Sequence, residues 1–256
     1  HLIDILEPDE EFHVVRFQQL AKQAMEEIYG RGRIPILVGG TGFYIQAVLY
    51  DIDFTENDGD PAYRKELETL AQEQGAETLH ARLKEVDPKS AEEIHAHNVK
   101  RVIRALEYFH LTGQPISAHN EEQRQKESPY CFAYFVLNDD RANLYRRIDK
   151  RVDQMMDEGL LEEVQLLKDM GYHKKMVSMQ GLGYKEMLDH LDGICPLEEA
   201  VRILKRDTRH FAKRQLTWFK REREVRFLNL PEFGGDVSKV LERILEDCAK
   251  QGIVLQ

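Results

Sequence analysis

Apolar residues recur at helical spacing from Asp9 to Tyr29, where Phe12, Val15, Ala21, Ala24, Met25 and Ile28 form one stripe that Gly30 and Gly32 then interrupt. The next residues, Ile34-Pro35-Ile36-Leu37-Val38, are apolar without alternation, which predicts a strand buried on both faces of a parallel sheet. Helix, short loop and buried strand mark residues 1–51 as a piece of a doubly wound α/β core whose parallel neighbours come from elsewhere. From Asp51 to about Pro129 the pattern changes to charged helical segments, broken at Asn57-Asp58-Gly59-Asp60-Pro61, Gly75, Pro88, Gly113 and Pro115. This predicts an all-helical insertion over residues 52–129. Its clearest helix has Asn98 as N-cap, buries Val99, Val102, Ile103, Leu106 and Phe109, and ends before Gly113. The run Tyr130-Cys131-Phe132-Ala133-Tyr134-Phe135-Val136-Leu137 returns the chain to the sheet. Asp139 or Asp140 then caps a helix with Leu144, Ile148, Val152 and Met155 inward. Residues 1–51 and 130–256 are therefore one core, interrupted by the insertion.

The chain has 256 residues and a net charge of −10, enough for a substantial core. No apolar run approaches the roughly 20 residues that span a bilayer, and no charged-then-apolar leader opens the chain, so a soluble, cytoplasmic protein without a membrane partner is expected. Cys131, Cys195 and Cys248 are odd in number and lack metal-ligand spacing, which predicts small, packed residues rather than disulfides or a zinc site. The opening His1-Leu2-Ile3-Asp4-Ile5-Leu6 lacks a Met and reads as the middle of an element; an upstream segment is expected.

Four features carry chemistry. Gly39-Gly40-Thr41-Gly42 follows the first apolar strand, where ligands of α/β sheets sit. Glycines there let backbone N–H groups approach a phosphate or a base, although such a turn also uses Gly for steric reasons alone. Lys100, Arg101 and Arg104 crowd the start of the Asn98 helix, against its dipole. They ask for a compensating anion, either a phosphodiester backbone or Glu92, Glu93 and Glu107. Arg147 and Arg151 are i,i+4 neighbours suited to a diphosphate, or else a solvated face partnered by Asp149 and Asp153. Over residues 201–220 a helical wheel gathers Arg202, Arg206, Arg209, Lys213 and Lys220 within about 60°. Val201, Leu204, Phe211, Ala212 and Phe219 fall on an adjoining face that can dock on the core, and only Asp207 interrupts the acid-poor run. In a chain acidic overall, this concentration of cations is the footprint of a nucleic-acid groove.

At this point the residues match a family. Val38-Gly39-Gly40-Thr41-Gly42-Phe43-Tyr44, Lys100-Arg101-Val102-Ile103-Arg104-Ala105-Leu106-Glu107, Gln180-Gly181-Leu182-Gly183-Tyr184-Lys185-Glu186 and Ala212-Lys213-Arg214-Gln215-Leu216-Thr217-Trp218-Phe219 resemble the bacterial tRNA dimethylallyltransferases, also called isopentenyl-tRNA transferases. The likeness runs in order over nearly the whole chain. It implies an α/β, P-loop-NTPase-like core with a parallel sheet and the helical insertion as a tRNA-binding domain. The implied reaction transfers dimethylallyl from its diphosphate to N6 of the adenosine 3′ of the tRNA anticodon, assisted by Mg2+. Thr41 corresponds to the reaction channel. Arg64 corresponds to a tRNA contact, as do Lys100, Arg101, Val102, Ile103 and Arg104. Further tRNA-contacting stretches are Gln180, Gly181, Leu182, Gly183, Tyr184 and Lys185, and Lys213, Arg214, Gln215, Leu216, Thr217, Trp218, Phe219 and Lys220. Tyr184, Trp218 and Phe219 are stacking candidates where their rings are exposed; core roles for Trp218 and Phe219 remain the alternative. Arg147 and Arg151, with Gly39 and Gly40, are the candidates for the diphosphate. The expected partners are a tRNA anticodon stem-loop and dimethylallyl diphosphate, bound by a monomer.

Two departures qualify the likeness. No G-x-x-x-x-G-K-[ST] pattern occurs in these residues, and the family's general-base Asp has no counterpart, so both are expected in a preceding segment; no metal ligand is assigned within the chain. No Cys/His element follows Lys220, which favours the bacterial form. A prenyltransferase of free adenine nucleotides and a non-catalytic RNA-binding module are the alternatives. The first does not need the cationic stripe, and the second does not need the glycine turn.

Overall fold

The structure, a computed structural model, describes residues 1–54 and 60–253; the expected break at Asn57, Asp58 and Gly59 lies outside the described residues. The chain divides into two compact units, residues 1–49 with 130–256, and residues 50–129. Among the described residues the first unit is mostly helical with a small parallel sheet.

The first unit opens with α1 (Val14–Gly30), which begins where the His13 ring accepts the Arg16 N–H. The stretch after Asp9 stays irregular, so the helix starts later than the periodicity predicts. α2 (Gly42–Leu49) follows and packs on α1, and the buried Gln18 amide donates to the Ala47 carbonyl at 2.7 Å. Between them, residues 34–38 correct the expectation of a buried strand. Ile36 is 78% and Val38 87% exposed, and no strand is assigned there. A parallel strand needs partners for its N–H and C=O groups on its edges, and none of the described residues pairs with this run.

The second unit is helical throughout: α3 (Pro61–Gln74), α4 (Ala76–Val86), α5 (Pro88–Glu93), α6 (Val99–Thr112) and α7 (Ile116–Gln125). Leu67, Leu70, Leu79, Leu83, Val102, Ile103 and Leu106 form its core. Asn98 occupies the cap position of α6, but its side chain makes no capping bond, while Gly113 ends the helix at φ 69°, a left-handed conformation that glycine adopts without strain.

Returning to the first unit, β1 (Tyr134–Asn138) pairs in parallel with β2 (Val225–Asn229), Tyr134 opposite Val225 and Asn138 opposite Asn229. β1 starts four residues later than expected and packs one face only. Tyr134 and Val136 join Ile45 and Phe219 in a core, while Leu137 faces out. α8 (Arg141–Asp157), α9 (Leu160–Asp169), α10 (Tyr184–Leu191) and α11 (Leu197–Phe219) lie between the strands in sequence, and α12 (Val237–Lys250) follows β2. Val152, Leu160, Val164, Met179, Met187, Leu188, Ala200 and Leu204 make the larger core of this unit. Asp140 takes the cap position of α8 without a side-chain bond; the Asp139 carboxylate instead accepts from Asn143 and Arg147.

Candidate nucleic-acid interface

The glycine turn and the distant Lys213 to Lys220 stretch meet. The Gln215 amide donates to the Gly40 carbonyl at 2.9 Å, across 175 residues of sequence. A Cβ at Gly40 would lie 2.2 Å from the Gln215 amide nitrogen, and one at Gly42 would lie 2.1 Å from Cδ1 of Trp218. Glycine is therefore required at Gly42 by the close approach of the rigid Trp218 ring, while at Gly40 the neighbour is the end of a flexible side chain and a Cβ at Gly39 would meet nothing within 4 Å. The Thr41 carbonyl accepts the N–H groups of Tyr44 and Ile45 and so opens α2, leaving the Thr41 side chain exposed beside this contact.

α11 does not present one continuous cationic stripe. Arg202 is bound by Glu199, Arg206 by Asp207 and Arg209 by Asp149, and the neighbouring Lys205 by Asp153. Past residue 210 the balance changes. Among the described residues Lys213, Arg214, Lys220 and Arg221 have no acid within ion-pair distance. His210, Lys213, Arg214, Thr217, Trp218 and Arg221 line an open groove of about 500 Å³ that contains no carboxylate. Trp218 is 38% exposed at its edge, meeting Phe43 edge-on with ring centroids 6.2 Å apart. Two expectations are corrected here. Phe211, expected on the docking face, is exposed beneath the Arg214 guanidinium. Phe219, carried as a stacking candidate, is 7% exposed in the core with Tyr134, where no base reaches it. Leu216 is half-buried.

Residues 180–185 adjoin the middle of the same helix, with Lys185 bridging Glu186 at 3.3 Å and Asp207 at 3.8 Å. The turn is fixed from within. Gly183, buried at φ 101°, donates its N–H to the Glu186 carboxylate. Gly181 and Leu182 are half-buried, and Gln180 is exposed. Tyr184 is half-buried. Its hydroxyl donates to Glu163, and that bond, together with burial, pushes its pKa up to about 12.

In the second unit, Lys100, Arg101 and Arg104 are exposed on α6 and, among the described residues, none has an acid within ion-pair distance. The expected partner Glu107 is engaged by Arg64 at 3.7 Å, which sets Arg64 beside the α6 row. Val102 and Ile103 are core residues of this unit, so within that stretch the side chains available to a ligand are the three cations. Arg147 and Arg151 are also exposed, with Arg147 3.4 Å from Asp139. Their expected partners Asp149 and Asp153 are bound by α11 instead, on a face of α8 about 200° around the helix. The structure thus does not bring the two arginines to the α11 groove.

The IPP transferase family model matches residues 1–222. The chain belongs to the IPP transferase family. It is 63% identical over 244 residues to a tRNA dimethylallyltransferase of Lachnoclostridium phytofermentans, covering 95% of this chain and 78% of that protein. It is 49% identical over 255 residues to one of Acetivibrio thermocellus, with 100% and 81% covered. The crystal structure of a tRNA isopentenylpyrophosphate transferase from Bacillus halodurans is similar at a TM-score of 0.64 and 42% identity, covering 98% of this chain and 79% of that one. A eukaryotic dimethylallyltransferase acting on tRNA is similar at a TM-score of 0.81 and 25% identity, covering 100% and 66%.

Two residues of the groove in this IPP transferase, His210 and Arg221, are not legible from the sequence as parts of one site. His210 lies four residues after Arg206 and three before Lys213, on the stripe itself, but is uncharged in a simple count. Arg221 continues the basic run by one step past Lys220. Gln215 was legible as part of a motif, but its role as the tie to Gly40 depends on a contact that no local pattern encodes.

Proposed function

We propose that the protein transfers a dimethylallyl group from dimethylallyl diphosphate to N6 of the adenosine immediately 3′ of a tRNA anticodon, releasing diphosphate. The observation that carries this reading is the docking of residues 40–42 against Gln215 and Trp218. It sets Thr41 beside an acid-free cationic groove with an exposed indole. Phosphate-binding cations next to a flat ring suit an unstacked nucleotide of single-stranded RNA, and the names of the relatives supply the reaction.

An adenine amine is a weak nucleophile, so the base must leave the loop stack and meet the donor in a dry channel. The N6–carbon bond forms as the allylic carbon–oxygen bond breaks. Diphosphate leaves with the electron pair, and the N6 proton passes to a base, a role assigned to no carboxylate of this chain. The core is read as P-loop-like, and the helical insertion as a tRNA-binding unit that offers Arg64, Lys100, Arg101 and Arg104 to the phosphate backbone. Arg147 and Arg151, by their i,i+4 spacing, and Gly39 and Gly40, by their place in the turn, are separate candidates for the donor's diphosphate; the two arginines lie on the face of α8 turned from α11. Among the described residues no three His, Cys, Asp or Glu side chains group as a metal site. No residue of this chain is assigned to Mg2+, which would supply charge neutralisation at the donor's diphosphate when bound. We take a cytoplasmic monomer as the working form; among the described residues no helix is long and apolar enough to cross a membrane.

Divided by its ion pairs, α11 gives a direct test. Lys213→Ala and Arg214→Ala are each expected to raise the KM for an anticodon stem-loop by roughly 10-fold, the worth of one charge-assisted hydrogen bond. Arg202→Ala, which removes a cation already bound by Glu199, is expected to leave it unchanged. Steady-state kinetics over stem-loop concentration check this, and equal effects at all three positions would contradict it. Competition by free AMP as strong as by the stem-loop would favour an adenine-nucleotide substrate.

Arg147→Ala/Arg151→Ala is expected to raise the KM for dimethylallyl diphosphate by about 10-fold or more while leaving the stem-loop KM near its original value. An unchanged donor KM would remove both residues from the diphosphate site.

A further inference from the structure

The arginines of α11 are held in two ways. Arg202, Arg206 and Arg209 meet the carboxylates of Glu199, Asp207 and Asp149 at 2.6, 2.8 and 2.5 Å, and Arg209 also lies over the Tyr145 ring, 5.9 Å from its centroid. Arg214 meets no carboxylate. Among the described residues it makes neither an ion pair nor a hydrogen bond, and its guanidinium carbon stands 5.7 Å from the centroid of the Phe211 ring. Phe211 and Trp218 are each 38% exposed and lie within about 20° of each other around the helix and about 10 Å apart along it, with Arg214 between them. The guanidinium and the indole line the same groove, whereas the Phe211 ring stands outside its lining.

The two ways of holding differ in what they leave free. A carboxylate fixes a guanidinium but neutralises it and occupies its N–H groups, so a phosphate has to displace that partner. An aromatic face attracts the cation through the ring quadrupole, carries no net charge and leaves the N–H donors free. An arginine with no holder loses rotamer freedom when it binds, which weakens affinity. We infer that Phe211 is a positioning residue for the RNA groove: its ring holds the Arg214 guanidinium beside Trp218, ordered but not neutralised, to take the phosphate adjoining the base that stacks on the indole. This inference rests on the reading of the groove as an RNA site. Phe211 touches neither donor nor RNA in this account and acts through Arg214 alone.

A double-mutant cycle read as the Kd for an anticodon stem-loop, by filter retention, tests this role. Phe211→Leu keeps apolar bulk but removes the ring face, and is expected to raise the Kd by about 3-fold, the worth of a cation–π contact at an exposed site. Phe211→Tyr keeps the face and is expected to bind like the unsubstituted protein. Arg214→Ala is expected to raise the Kd by about 10-fold, and adding Phe211→Leu to it is expected to change nothing further. Losses that multiply in the double variant would overturn the positioning role, as would a Phe211→Leu protein that binds normally. Because the ring is exposed, Phe211→Leu is expected to unfold at the same temperature as the unsubstituted protein. Failure of Phe211→Leu to fold, or a clearly lower melting temperature, would assign the ring to packing and overturn the proposal. Normal stem-loop binding by Arg214→Ala would instead remove the RNA phosphate from this groove and overturn the underlying reading.

Discussion

Gly42→Ala is expected to abolish most of the RNA-modifying activity and to destabilise the first unit by about 1–3 kcal/mol, the range for overpacking a closed contact. The new methyl would lie 2.1 Å from Cδ1 of Trp218, and a rigid indole that meets Phe43 edge-on has no cheap way to retreat. Either α2 moves away from α11 or the ring swings into the groove, and both disrupt the platform beside Thr41. Gly40→Ala meets the far end of the flexible Gln215 side chain at 2.2 Å, so its effect is expected to be smaller, reflecting the loss of one amide-to-carbonyl bond. Gly39→Ala meets nothing within 4 Å and is expected to fold and turn over like the unsubstituted protein. Thermal unfolding and kcat/KM measured on the three variants check the order. If Gly39→Ala and Gly42→Ala behave alike, the close docking of the turn on α11 is not what makes these glycines matter.

Asp87→Ala is expected to lower the stability of the helical unit by about 3 kcal/mol, because it leaves several buried donors without an acceptor. The Asp87 carboxylate is 1% exposed and accepts four hydrogen bonds. The Ser90 N–H and hydroxyl approach at 3.0 and 2.7 Å, and the Ser117 N–H and hydroxyl at 2.9 and 2.6 Å. It thus caps α5 and ties the start of α7 to it. Burial alone would raise the carboxyl pKa, but the hydroxyls of Ser117 and Ser90 and the two N–H groups outweigh it and hold the pKa below the usual range. A depressed folded-state pKa contributes stability that is complete above the unfolded value of about 3.9 and is lost as pH falls through the folded value. Urea unfolding followed between neutral and acid pH is therefore expected to show a component of acid loss that Asp87→Asn lacks. The same acid dependence in Asp87→Asn would assign that loss to other carboxylates.

What was legible in the sequence follows how local each determinant is. The α6 stripe was readable because Val102, Ile103 and Leu106 face one core and Gly113 supplies the left-handed stop, all within a few turns of chain. The apolar run at 34–38 carries the composition of a covered strand, but strand formation depends on neighbours that composition does not specify, and it lies exposed here. β2 was missed for the opposite reason. Val225-Arg226-Phe227-Leu228-Asn229 is short, follows the charged run 221–224, and places Arg226 against Asp247 of α12. In α11 the wheel located the cations correctly but not their partners. Asp149 and Asp153 come from α8 and neutralise Arg209 and Lys205, which confines the open charge to the end of the helix. The same long-range packing decided between the aromatic neighbours, sending Phe219 into the core and leaving Trp218 at the groove.

The most direct measurement is the mass of the RNA. The purified protein is incubated with dimethylallyl diphosphate, Mg2+ and an anticodon stem-loop carrying adenosine at the position 3′ of the anticodon, beside a stem-loop with guanosine there. A gain of one dimethylallyl unit on the adenosine substrate, mapped to that base and absent from the guanosine control, is the expected result. Unchanged mass on the adenosine stem-loop, from folded protein that still binds it, would contradict the transferase reading and leave RNA binding as the activity of this site.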